Sequence, residues 1–162
     1  MLRIAALILA LSLAMPARAQ SPLHDGWAAY AAKDYATAFR VWRPLAEAGN
    51  GWAQLYLGIM YEEGQSVAQD YAEAVTWYRR AAEQGDAWAQ HRLALMYEHG
   101  RGIPQDHAEA HKWLNLAASR YPATEKDKRD QAADHRDRIA GKLTAQQLAK
   151  AQRLAREWKP KS

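Results

Sequence analysis

From Gly49 onward, apolar positions return at spacings of three and four, the period of a helix with one buried face. Ala53, Leu57, Met60 and Tyr61 form such a face and predict a helix over about Trp52–Glu63. Gly64 predicts its end, because glycine enters the left-handed conformation cheaply. A seven-residue loop, Gly64–Asp70, leads to Asp70 with Glu73 three residues on, the spacing of a capping box. The second predicted helix carries Ala74, Trp77, Tyr78 and Ala81 on one face and ends at Gly85. The same signals then recur. Without a gap, Gly49–Gln84 aligns on Gly85–Arg120 at an offset of 36, with 17 of 36 positions identical. Trp52/Trp88, Leu57/Leu93, Met60/Met96, Gly64/Gly100, Asp70/Asp106 and Trp77/Trp113 are among the matches. Such a period marks stacked helical hairpins, none of which buries its apolar face alone.

The flanks extend this plan. Asp34-Tyr35-Ala36, Ala38 and Gly49 stand one period before their counterparts, so residues 20–48 read as an N-terminal partial repeat, with Trp27 and Tyr30 on a helix over Leu23–Ala32. Residues 49–84 and 85–120 are the two full units, and 121–162 read as capping helices. Glu125–Ala140 predicts a charged helix ended by Gly141. Thr144 with Gln147 predicts a second capping box, stapled by Leu143 and Leu148. Leu148, Ala151, Leu154, Ala155 and Trp158 form a stripe suited to sealing the last repeat. At the other end, Met1-Leu2-Arg3, the apolar run Ile4–Ala14 and Ala17-Arg18-Ala19 reproduce the three parts of a secretory signal. Residues 1–19 are therefore expected to be cleaved before Gln20, placing the chain in the periplasm or outside the cell. The run falls short of the about 20 residues a spanning helix needs, so no stable membrane insertion is expected after cleavage.

Composition narrows the chemistry. The 162 residues suit one domain, and seven Trp and eight Tyr stand against one Phe. There is no Cys, which removes disulfides, thiolate metal sites and cysteine nucleophiles. The net charge of +4 is uneven: residues 20–119 carry −4 and residues 120–162 carry +6. Acids and bases are interleaved in the basic third, so it reads as a solvated cap rather than a nucleic-acid or membrane patch.

The pattern Ala53-x3-Leu57-Gly58-x2-Tyr61-x2-Gly64, then Gln69-Asp70-Tyr71-x2-Ala74-x2-Trp77-Tyr78-x2-Ala81-Ala82-x2-Gly85, resembles the Sel-one-like repeat (SLR) family, relatives of the tetratricopeptide repeat with a longer inter-helix loop. Departures are Ala94 for the usual glycine, His107 for the tyrosine, and Ser66 and Ala68 where Gly and Pro are usual. The segment Arg138–Trp158 resembles the closing part of short exported bacterial members. The resemblance implies an all-α, right-handed α-solenoid of helix-turn-helix repeats with a C-terminal helical cap. It also implies a non-enzymatic scaffold binding a peptide or partner protein on its concave face. Two other readings come with the family: a periplasmic regulator restraining a membrane sensor kinase, and a β-lactam hydrolase.

Hydrolysis of that kind needs Ser-x-x-Lys, and none of Ser12, Ser21, Ser66, Ser119 and Ser162 has Lys three residues on. No phosphate loop, dinucleotide fingerprint or Gly-x-Ser-x-Gly is present, so no catalytic residue and no cofactor is assigned. His107 and His111 share a metal-compatible spacing but lack a third ligand, and copy one has Tyr71 and Val75 there, so no metal is assigned either. His24, His91, His99 and His135 read as isolated surface or capping residues. The binding candidates lie one step round from the packed stripe of each first helix. They are Trp52, Tyr56, Ile59 and Glu63 in copy one, and Trp88, Arg92, Leu95 and His99 in copy two. Trp52, Tyr56, Glu63, Trp88, Arg92 and His99 are the expected partner-binding residues, with Tyr56 and Arg92 foremost. The competing reading packs both Trp rings on the preceding second helix.

Overall fold

The computed structural model describes residues 21–161, so the expected signal segment and its cleavage point lie outside the described residues. Eight helices follow in order: α1 Pro22–Ala31, α2 Tyr35–Glu47, α3 Gly51–Glu63, α4 Tyr71–Glu83, α5 Ala87–His99, α6 His107–Arg120, α7 Lys126–Ala140 and α8 Ala145–Glu157. A 3-10 turn, Ala123–Glu125, precedes α7, and the described residues contain no strand. Each helix from α1 to α7 packs on its neighbour in sequence, whereas α8 turns back onto α6. This is an α-solenoid of helical hairpins closed at one end by a helix.

The two full units are built alike. Asn50 and Asp86 cap the first helices, accepting from the amides of Ala53 and Ala89. Gly64 and Gly100 end those helices at φ of 67° and 64°. Asp70 and Asp106 cap the second helices as expected, but the reciprocal half of the capping box is absent. Their own amides are already taken by the carbonyls of Tyr61 and Tyr97, both at 3.0 Å. Glu109 instead meets Lys112 at 2.6 Å and the Trp113 indole N–H at 3.1 Å. Thr144 and Gln147 do form a complete capping box at the start of α8.

One packing slot recurs in all three hairpins and explains the chain's small residues. Trp42, Tyr78 and Leu114 stand 36 residues apart, and all are fully buried. A Cβ on Gly26 would lie 2.1 Å from the Trp42 ring, and one on Gly58 would lie 2.5 Å from the Tyr78 ring. Where the second-helix residue shrinks to Leu114, the first helix affords Ala94 in place of Gly58. The departure at Ala94 is thus compensated across the hairpin, keeping packing volume nearly constant. The segment expected as a partial repeat is a two-helix hairpin, with a loop of Ala32–Asp34 in place of the seven residues Gly64–Asp70.

The cap follows the sequence reading. Ala151 and Ala155 are buried, and Trp158 meets Trp113 edge-on at 6.2 Å between centroids. The backbone of Lys161 then donates to the Glu83 carbonyl at 2.8 Å. On α7, Lys126 pairs with Asp130 and Arg136 with Asp137, so the basic segment neutralises much of its charge along its own helix.

Candidate functional site

Side chains join the first helices of successive hairpins into one face. Trp27 of α1 meets Tyr56 of α3 at 5.3 Å between ring centroids. Arg92 of α5 pairs with Glu62 of α3 at 3.5 Å. His135 of α7 meets Glu98 of α5 at 2.5 Å. Three cavities run along this face, of about 410, 270 and 150 Å³. Trp52 and Tyr56 are shared by the first two, and Trp88 and Arg92 by the last two.

The N-terminal cavity is aromatic. Trp27, Trp42, Trp52 and Tyr56 line it with Ser21, Leu23 and His24. Tyr56 is the hub, with Trp42 at 4.9 Å and Trp52 stacked on it at 6.0 Å and 15°. Burial pushes the Tyr56 phenol above its ordinary pKa, so it stays neutral. Trp27 and Trp52 nevertheless leave 48% and 53% of their surfaces exposed. The Trp42 indole donates to the Leu23 carbonyl at 3.3 Å, fixing α1 over α2.

The C-terminal end is polar and covered. Trp88 meets the Tyr121 ring edge-on at 5.3 Å, and the Lys128 ammonium lies 5.1 Å from its centroid. His91 Nδ1 is 3.1 Å from the Tyr121 hydroxyl, and the His91 and His135 rings are 6.0 Å apart. Burial, helped by His135, Arg92 and Lys128, lowers the His91 pKa to about 4. Glu98 also accepts from Lys142 at 3.0 Å. Burial opposes its ionisation, but Lys142 and His135 prevail and hold its pKa below the usual carboxylate range.

The structure brings Trp52, Tyr56, Trp88 and Arg92 to the middle cavity together with Ile59, and Leu95 to the third. Glu63 and His99 line none of the three. Glu63 accepts from the Gln65 amide at 2.5 Å, and His99 sits exposed beside Glu98 at 3.8 Å. Arg92 is less free than expected, because Glu62 holds it while also accepting from the Tyr78 hydroxyl at 2.5 Å. His91 and His135 are not isolated, contrary to their sequence reading. His111 is buried, and burial lowers its pKa, while His107 stays half-buried. Among the described residues no group of three or more His, Asp or Glu is placed to hold a metal ion. None of the described helices is long and apolar enough to cross a membrane. Trp42 went unread as a cavity residue although it keeps the 36-residue register of Tyr78, and His24 read only as an isolated surface or capping residue, because the shortened first loop shifts α1 out of that register.

The repeated hairpins and their shared loop geometry define an α-solenoid repeat protein. More narrowly, the Sel1 repeat model matches residues 53–86 and 89–121, so the chain carries two Sel1 repeats. Sel1 repeats commonly mediate protein–protein interaction. A protective antigen present in uropathogenic Escherichia coli strains, displaying an SLR fold, shares 28% identity at a TM-score of 0.76, over 85% of this chain and 29% of that one. A Sel1 repeat protein from Oxalobacter formigenes shares 37% identity at a TM-score of 0.59, over 63% of this chain and 42% of that one. The chain thus spans less than half the length of either structure. No curated protein matches it.

Proposed function

We propose that the chain is an exported, non-catalytic scaffold that holds a partner protein or peptide along the face of α1, α3, α5 and α7, the concave side of the solenoid. The observation that carries this reading is the row of cavities whose middle member gathers Trp52, Tyr56, Trp88 and Arg92. Aromatic and Arg anchors of this kind dominate binding energy at interfaces. Export rests on the tripartite start of the sequence.

Trp52 is the residue to test, because it is exposed, whereas Tyr56 is also the hub of the ring cluster. A photoreactive residue in place of Trp52 should crosslink a defined partner in the periplasm. The same group at exposed Arg153 on α8 should not. Trp52→Ala should weaken capture by about tenfold, or 1–2 kcal/mol, with the helical spectrum intact. Identical adducts from both positions, or none, would overturn the reading. N-terminal sequencing of the exported chain should begin at Gln20 or within a few residues, and intact chain confined to the cytoplasm would refute export.

A further inference from the structure

The chain places a cation over most of its indole rings. Arg80 lies 4.6 Å from the Trp77 centroid, Lys128 5.1 Å from Trp88, Lys112 4.5 Å from Trp113 and Arg120 4.4 Å from Trp158. Trp27, Trp42 and Trp52 are the remaining indoles, and among the described residues no Lys or Arg sits over any of them. These same three line one cavity of about 410 Å³. Tyr56 touches all of them, at 5.3, 4.9 and 6.0 Å between centroids and at interplanar angles of 64°, 34° and 15°. The rings therefore wall a space from several directions rather than stack into one slab.

The geometry points to this cavity as an aromatic cage for a small quaternary ammonium cation of the choline type. Ring faces attract cations through their quadrupoles, most strongly for Trp, and the attraction grows as water is excluded. Four of the seven lining residues are aromatic and one is aliphatic, with Ser21 and His24 as the polar members. No carboxylate lines the cavity, and the Leu23 carbonyl already accepts from the Trp42 indole. A Lys ammonium brings three N–H donors and would leave some unsatisfied there, at a cost in free energy. A trimethylammonium group has no N–H, presents methyl groups to the rings and keeps its charge. The net −4 of residues 20–119 favours the approach of a cation over that of an anion. The site goes beyond partner docking, because its ligand is a small ion.

The test is a titration of tryptophan fluorescence in the chain lacking residues 1–19, at constant ionic strength. Choline chloride and tetramethylammonium chloride should each give a saturable change. The uncharged isostere 3,3-dimethylbutan-1-ol, which replaces the ammonium nitrogen by carbon, should give none at the same concentrations. Trp27→Leu and Trp52→Leu should each weaken choline binding about tenfold with the helical spectrum retained, and Trp52→Phe should fall between, following the ring order. Should a Leu variant lose its helical spectrum, the choline-against-isostere contrast in the parent chain decides alone. Equal binding of the isostere, or no saturable response to choline, would overturn the proposal whatever the outcome of partner capture.

Discussion

Trp52 and Trp88 hold the same position in two copies of one repeat, yet they meet different surroundings. Trp52 is 53% exposed and stacks only along its own helix on Tyr56. Trp88 is half-buried, with the Tyr121 ring on its edge and Lys128 over its face. The covering groups come from the segment after α6 and from α7, whereas the first copy's counterparts, residues 84–86 and α5, put no ring or cation over Trp52. In a solenoid, a repeat position fixes the backbone and the core slot, while exposure depends on what stacks next. The open aromatic end and the capped polar end are thus one design with different neighbours.

Removing the cap tests that difference most severely. Deleting Thr144–Ser162 strips α8 from α6 and uncovers Trp113 and the faces now met by Ala151 and Ala155. The area lost should cost about 4 kcal/mol and drive aggregation. A melting curve unchanged from the full chain would show α8 to be a loose tail.

The core slot gives the next effect. Gly58→Ala places a methyl 2.5 Å from the Tyr78 ring and should destabilise by about 2–3 kcal/mol. Gly58→Ala on a Tyr78→Leu background recreates the Ala94/Leu114 pair of the second copy and should cost about 1 kcal/mol or less. Additive costs in urea unfolding would mean that the two positions are not coupled. The Trp pair follows the same logic: Trp88→Ala should cost about 2 kcal/mol, and Trp52→Ala less than about 0.5 kcal/mol.

How much of this was legible in the sequence depends on distance along the chain. Helices α3 to α6 could be read because the ungapped 36-residue offset aligns every cap, turn glycine and core position. Hairpin α1–α2 was only half legible, because its loop is four residues shorter, which throws Gly26 out of that offset relative to Gly58. Asn50 and Asp86 carried a plain capping signal beside the glycines that drew the reading. The cavity face was partly legible, since helical spacing alone groups Trp52 with Tyr56 and Trp88 with Arg92. The Glu62 hold on Arg92 and the Glu98–His135 contact join residues 30 and 37 apart in sequence, which no local period encodes.

The capped end should also carry the acid sensitivity. The His91 pKa falls to about 4 in the fold, chiefly through burial. Between that value and the unfolded one, about 6.5, the unfolded chain binds a proton that the folded chain refuses. Stability is therefore complete above about pH 6.5 and falls as the pH drops toward 4, by on the order of 2–3 kcal/mol. Glu98 acts in a lower window, because a depressed carboxylate pKa gives stability that is lost only as the pH falls through the folded value. Urea midpoints at pH 7 and pH 5 should differ in the parent chain, and the gap should narrow in His91→Gln, with a remainder from His111, whose pKa burial also lowers. An equal gap in both proteins would remove His91 as the cause.

The smallest effect lies in the inter-helix loops, where the copies differ at four positions, Ser66 against Gly102 among them. Ser66 and Gly102 occupy the same position and adopt nearly the same backbone, at φ of 65° and 67°. Only glycine takes that conformation without steric penalty, so Ser66 holds strain that Gly102 does not. The second copy cannot exchange them: a Cβ on Gly102 would lie 2.2 Å from the Tyr71 carbonyl oxygen, because that loop lies against the start of α4. Ser66→Gly should therefore stabilise by about 0.5 kcal/mol, the relief of strain being offset in part by the freedom glycine adds to the unfolded chain. Gly102→Ser should destabilise by more than 1 kcal/mol, since backbone must move to admit it. Equal and opposite shifts in melting temperature would mean that strain at the residue is the whole difference between the loops. A larger loss at Gly102 than gain at Ser66 would assign the remainder to the contact with α4.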